Sequence, residues 1–313
     1  MLTRRTVILA KRETTAGTDP AMAPSTDGIL VYDVDLDIKG EKLERPVLRD
    51  TLSAMPHVIG MKECALTFKA ELKGMGTTTS IGAFELDDLL SGVGFNTGVY
   101  TGTTTVYSLQ SAESNMQTLS FIVNVDGNMH KILGSRGNVK FNLNAGKYGE
   151  CEFSFMGLFN PVGTGTLYDL SAISNVKPPI VYNSGFQIAG FSPVTSSAEI
   201  DLANNVVRRD SLNATYGVHS FRITDRKPKL SFDADAVAES SNPFWGDWEG
   251  SVVDTFGIQI GSNATNIVKM SGFFEYDSNK YGDQDGVRKY DCVASLVSSS
   301  VNSQDDELTI TFV

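Results

Sequence analysis

One pattern is written twice in this chain. Val47-Leu48-Arg49-Asp50-Thr51-Leu52-Ser53-Ala54 returns as Val207-Arg208-Arg209-Asp210-Ser211-Leu212-Asn213-Ala214. Leu66-Thr67-Phe68-Lys69-Ala70 returns as Leu230-Ser231-Phe232-Asp233-Ala234. Residues 121–141 align without a gap on residues 256–276, and Lys147-Tyr148-Gly149 recurs as Lys280-Tyr281-Gly282. The blocks keep their order while the spacings vary, which is the signature of two copies of one structural unit. Apolar positions persist and polar ones drift: Lys69 gives way to Asp233, and Lys140 to Glu275. The turn-rich stretch Asn160-Pro161-Val162-Gly163-Thr164-Gly165 lies between the copies. The expected domains are residues 1–162 and 163–313.

Within each copy the hydrophobic period is two. Tyr32, Val34, Leu36 and Ile38 alternate with Asp33, Asp35, Asp37 and Lys39. Val139, Phe141 and Leu143 alternate with Lys140, Asn142 and Asn144, and Leu308, Ile310 and Phe312 with Thr309 and Thr311. Successive strand side chains point to opposite faces, so such runs make sheets with one apolar face. Asp126-Gly127 closes one run as a two-residue hairpin turn, because both residues tolerate positive φ. Helical signal is confined to Phe84–Leu90, stopped near Gly92, and to a start at Asn242-Pro243-Phe244. The expected fold is mainly β: two tandem β-sandwich or β-barrel domains, each with one short flanking helix. Residues 4–20 carry no period and read as an arm, disordered or docked on a neighbour.

Charge and motifs narrow the function. With 37 acidic and 26 basic side chains the net charge is -11, so most of the surface repels a polyanion and a DNA- or RNA-gripping protein is excluded. Three cysteines, Cys64, Cys151 and Cys292, are too few for a disulfide scaffold. The opening apolar run Val7-Ile8-Leu9-Ala10 is shorter than a secretory signal, and the expectation is a soluble protein kept in a reducing cytosol. His57, His130 and His219 are scattered. No metal-binding, nucleophile-elbow or phosphate-loop pattern appears. Asp33, Asp35 and Asp37 imitate a calcium loop, but Ile38 stands where the turn needs glycine, so they read as the wet face of a strand. Asp305, Asp306 and Glu307 lack a partner for acid–base work, and read as a solvated turn. No catalysis and no cofactor are expected. A tandem carbohydrate-binding or adhesin module remains the alternative, with Trp245 and Trp248 as its only tryptophan platform.

Both copies hold a long mixed-charge connection, around Arg45, Leu48, Arg49, Asp50 and Leu52 in the first and Arg208, Arg209, Asp210 and Leu212 in the second. Roughly 25 residues exceed the usual connector, which suggests a protein contact.

Three segments carry a family resemblance: residues 2–11, residues 44–52, and Gly134-Ser135-Arg136-Gly137-Asn138-Val139-Lys140-Phe141 running on to Cys151-Glu152-Phe153-Ser154-Phe155-Met156-Gly157. In these the chain resembles major tail tube proteins of long-tailed, non-contractile bacteriophages. The resemblance implies a β-sandwich that assembles into stacked rings around a lumen through which genomic DNA is ejected. Most members have one domain and form hexameric rings. Two copies per chain therefore imply a trimeric, pseudo-hexameric ring. It implies that the long connections, mapped to residues 41–62 and 201–226, contact the next ring. It also implies tail tip or initiator, tape measure and terminator proteins as partners, a place in the virion tail after assembly in the host cytoplasm, and no membrane. Arg136, which the gapless alignment sets against Ser271, then has no equal in the second copy. A conduit must not bind what slides through it, so an acidic lining is expected. The lumen candidates are Lys69, Glu71, Glu152, Asp233, Asp235 and Glu275.

Overall fold

The structure is a computed structural model that describes residues 2, 4–76, 84–171, 173 and 176–313. The first half runs β1 (Thr6–Arg12), α1 (Pro24–Asp27), β2 (Gly28–Ile29), β3 (Val31–Leu43), β4 (Val58–Glu71), α2 (Glu85–Gly92), β5 (Val99–Tyr100), β6 (Thr105–Ser108), β7 (Leu119–Val125), β8 (Asn128–Asn144), β9 (Glu150–Phe159) and β10 (Gly163–Thr164). The second runs β11 (Gln187–Ile188), β12 (Ser197–Asp201), β13 (Asn204–Asp210), β14 (Val218–Arg226), β15 (Lys229–Asp235), α3 (Phe244–Glu249), β16 (Asp254–Ile260), β17 (Val268–Gln284), β18 (Val287–Leu296) and β19 (Leu308–Phe312). Half of the residues are strand and 6% helix, so the fold is mainly β.

One strand order serves both halves. In the first it is β1-β7-β8-β9-β4-β3. In the second it is β11-β16-β17-β18-β15-β12, again antiparallel throughout. The 17-residue strands β8 and β17 each break register midway, between Leu133 and Arg136 and between Tyr276 and Ser278. An irregularity of this kind bends a strand and lets it serve two sheets. The N-terminal part pairs with β7 or β16, the C-terminal part with β9 or β18, and the apolar faces close on each other. Phe68, Phe121, Phe153 and Phe155 meet there with centroids 4.8 to 6.1 Å apart. Each is almost fully buried; truncating one such ring to alanine costs about 3–5 kcal/mol.

The turns obey local chemistry. Asp126 and Gly127 both take positive φ, as do Asp285 and Gly286 between β17 and β18. α2 packs on β1, β7 and β8, whereas α3 packs on β17.

Three expectations need correction. Residues 6–12 are no arm: β1 pairs with β7 along its whole length and buries Ile8, Leu9 and Ala10. Its apolar run Val7-Ile8-Leu9-Ala10 is buried on both faces and so carries no alternation to mark it as a strand. Residues 201–226 are no loop either, since β13 and β14 form a hairpin. Nor is the repeat gapless. Phe121 sits opposite Ile132, but Phe256 sits opposite Gly272. The two-residue turn of the first half is replaced by residues 261–267 in the second, which shifts everything downstream. By register, Val139 matches Asn279, Lys140 matches Lys280 and Phe141 matches Tyr281. Across the register break in β17, Arg136 accordingly matches Glu275 rather than Ser271, and Lys147-Tyr148-Gly149, in the β8–β9 turn, does not match Lys280-Tyr281-Gly282 inside β17.

The halves fuse edge to edge. β12 pairs with β15 on one side and with residues 140–144 of β8 on the other. β19 pairs with β6. The result is a continuous run of eight strands, β3-β4-β9-β8-β12-β15-β18-β17.

Candidate functional site: the polar sheet face and the two arms

One face of the eight-strand run covers the cores and the other is mainly polar. Following cross-strand partners gives a single row: Glu275, Ser295, Lys229, Asp201, Lys140, Glu152 and Lys69. Opposite charges sit directly across from one another at Lys229–Asp201, Asp201–Lys140, Lys140–Glu152 and Glu152–Lys69, an arrangement that stabilises a sheet by about 0.2–1 kcal/mol per pair. Lys140 Nζ lies 3.2 Å from Asp201, and Lys69 Nζ lies 3.1 Å from Asp33. A parallel row carries Glu71, Glu150, Asn142, Glu199 and Ser231. A trough of about 490 Å3 runs along the seam between the halves, lined by Asn142, Glu150, Glu199, Asp233 and Asp291 among others. All six residues singled out in the sequence, Lys69, Glu71, Glu152, Asp233, Asp235 and Glu275, fall on this face. Carboxylates outnumber lysines on it among the described residues.

Not every carboxylate there is free. Asp233 is held 2.6 Å from Lys289 Nζ and accepts backbone hydrogen bonds from Ser196 and Ser197. Burial opposes its ionisation, but these donors and the Ser196 hydroxyl prevail and hold its pKa down at about 2.

The hairpin ends form the second feature. β3 and β4 extend beyond the sandwich as an arm joined by residues 44–57, and β13 and β14 form a second arm. The arms lie side by side: Lys62 N–H donates to Tyr216 O at 3.3 Å, Arg208 Nη1 lies 3.1 Å from Glu63, and the Lys62 ammonium sits over both Phe159 and Tyr216. Arg45, Leu48, Arg49, Asp50 and Leu52 are all exposed in the first connection. Arg208, Arg209 and Asp210 lie on β13, with Arg208 also 2.8 Å from Asp210, and Leu212 is fully exposed at the second tip. Leu48, Leu52 and Leu212 are thus bare on the two adjacent arms.

A family model described as phage tail tube protein matches residues 3–301. The chain belongs to the phage tail tube protein family. No curated protein matches it. As a tail tube protein it is a structural component of the phage tail, and tube assembly is the work its surfaces must do.

Other candidate chemistry finds ordinary places in this tail tube protein. The cysteines are buried and unbridged, and burial pushes the Cys64 and Cys292 thiols up to about 11 and 12, far from reactivity. Asp305 and Glu307 each lie 2.6 Å from Arg226, which also donates to Gln110 O at 3.2 Å, so the expected solvated turn is a clasp between the halves. Trp245 packs against Tyr281 and Tyr290, and Trp248 donates Nε1–H to Asp277 O.

Sequence reasoning missed two structural groups. Glu13 is buried and accepts hydrogen bonds from Gly17 N, Thr118 Oγ1, Ser120 Oγ and Gly134 N. Asn204 donates from Nδ2 to Val93 O and Gly137 O, and its backbone N–H donates to Asn138 Oδ1, tying the second arm to the first half. Neither carries a motif; only the register brings the partners together.

Proposed function

We propose that three chains close a pseudo-hexameric ring and that rings stack into a tube, with the polar sheet face lining a bore through which DNA leaves the virion without binding. The observation that carries this is the internal joint. Two halves with one strand order are fused edge to edge, so a single chain occupies two equivalent positions of a ring. Each half then acts as one tube domain. β10 pairs on β8 where β19 pairs on β17, which supports counting β10 with the first half, two residues beyond the boundary expected at residue 162.

Dimensions agree with this reading. Eight strands from each of three chains, spaced ~4.8 Å apart and tilted ~40°, close a backbone cylinder about 45–50 Å across. Side chains narrow it to a bore still wider than a DNA duplex. The carboxylate excess on the lining face disfavours phosphate adhesion. The adjacent arms with Leu48, Leu52 and Leu212 supply the contact to the next ring, and residues there meet tail tip, tape measure and terminator proteins at the tube's ends and interior. Assembly takes place in the host cytoplasm.

Electron microscopy of the purified protein tests the stoichiometry. Class averages are expected to show rings of three chains with six similar lobes. Rings of six chains, or compact monomers alone at high concentration, overturn the reading.

A further inference from the structure

The joint between the halves has a vacant counterpart at the outer edges of the same chain. We propose that residues 33–37 of β3 pair antiparallel with residues 280–284 of β17 in a second copy of this chain, in the register that joins β12 to β8. This rests on the ring reading and adds its contact.

The register follows from correspondences within the chain. Leu66 of β4 lies between Leu36 and Phe155, and Leu230 of β15 lies between Ile200 and Ala294. Leu36 is therefore the counterpart of Ile200, and Asp37 of Asp201. On the opposite side Phe153 pairs with Val139, and its counterpart Cys292 pairs with Asn279, which makes Lys280 the counterpart of Lys140 and Tyr281 that of Phe141. Within the chain Ile200 faces Phe141 and Asp201 faces Lys140. Between chains the same geometry sets Leu36 against Tyr281 and Asp37 against Lys280.

Three observations favour this occupant. The charged pair is retained in residue type: the Asp201–Lys140 contact of 3.2 Å returns as aspartate and lysine at positions 37 and 280. The burial differs as a missing neighbour requires. Ile200 and Phe141 are 1% and 0% exposed, whereas Leu36 is half-buried and Tyr281 is 58% exposed. Both segments are sheet edges: β3 pairs with β4 alone, and residues 280–284 with β18 alone, among the described residues. Such an edge is a template for another strand. Its aspartates choose the partner, because two β3 edges set antiparallel would oppose Asp33 to Asp37 and repel. The exposed Leu43, Val58 and Ile59 of the first arm extend the same surface, as the second arm already covers the first half.

The test is cysteine cross-linking of assembled protein with electron microscopy of the same samples. Leu36→Cys with Tyr281→Cys, oxidised mildly, should give covalent trimers on a denaturing gel. Leu36→Cys with Lys280→Cys, on opposite faces, should not. Asp37→Lys or Lys280→Asp alone should lower the ring population roughly tenfold per interface, and the double exchange should restore it. Rings that form without the Leu36–Tyr281 cross-link overturn this register and leave the ring reading standing. Failure of the unmodified chain to form any ring overturns both. If the cysteine pair disrupts folding, ring loss in the single charge variants with recovery in the double still supports the pairing, and no recovery overturns it.

Discussion

At the scale of single residues, Glu13 shows how a polar group can hold a β-sandwich together from inside. One carboxylate with four donors satisfies two hydroxyls and two backbone N–H groups, at 2.5 to 2.7 Å. One of those N–H groups belongs to Gly134, whose φ of +59 lies at the bend of β8. Glutamine keeps the shape but replaces one acceptor oxygen with a donor. Thr118 can rotate its hydroxyl; the Gly17 N–H cannot turn away. Glu13→Gln is expected to destabilise the subunit by about 1–3 kcal/mol, the cost of a buried donor without an acceptor. Urea unfolding of dissociated subunits measures this, and an unchanged midpoint refutes the role. None of it was legible beforehand. Glu13 follows a short strand and looks like any acidic surface residue until the register brings Thr118, Ser120 and Gly134 around it. Leu66, Phe68, Phe153 and Phe155, by contrast, announce their burial through alternation alone, because that signal depends only on neighbours two positions away.

Elements were easier to foresee than their connections. The helix near Phe84 and the turn at Asp126-Gly127 stand where propensity puts them. The β16–β17 connection escaped because a change of turn length leaves the apolar pattern of both strands intact, and an ungapped alignment still matches hydrophobic to hydrophobic. The second arm escaped for another reason: Val207, Arg208, Arg209 and Asp210 face solvent on at least one side and lack a clean period, yet they are held as a strand by β14. Arms of this sort give a concrete expectation for stacking. Leu52→Asp and Leu212→Asp place a charge on tips that touch nothing in the isolated chain, so folding and ring formation should persist. A charge buried against the next ring is strongly unfavourable without a partner. Both variants should therefore yield rings that fail to elongate, and tubes of normal length by negative stain would remove the tips from the stacking contact.

For the whole molecule the question is which surface would line the proposed bore. As the proposed lining, the polar face would keep lysines paired while leaving carboxylates in excess, so that phosphates would meet a repelling wall. Glu71 and Asp235 lie on that face outside the ion pairs among the described residues, so reversing them leaves the pairs intact. Tubes of Glu71→Lys with Asp235→Lys should retain linear duplex DNA at about 50 mM salt and release it by about 200 mM, as counterion release dictates. Topology then separates inside from outside. A linear duplex can thread a bore by its end, whereas a covalently closed circle cannot. Retention of linear but not circular DNA by variant tubes, with neither held by the unaltered protein, places these residues in the lumen. Equal retention of both forms places the face on the exterior, and the proposed ring must then be turned inside out.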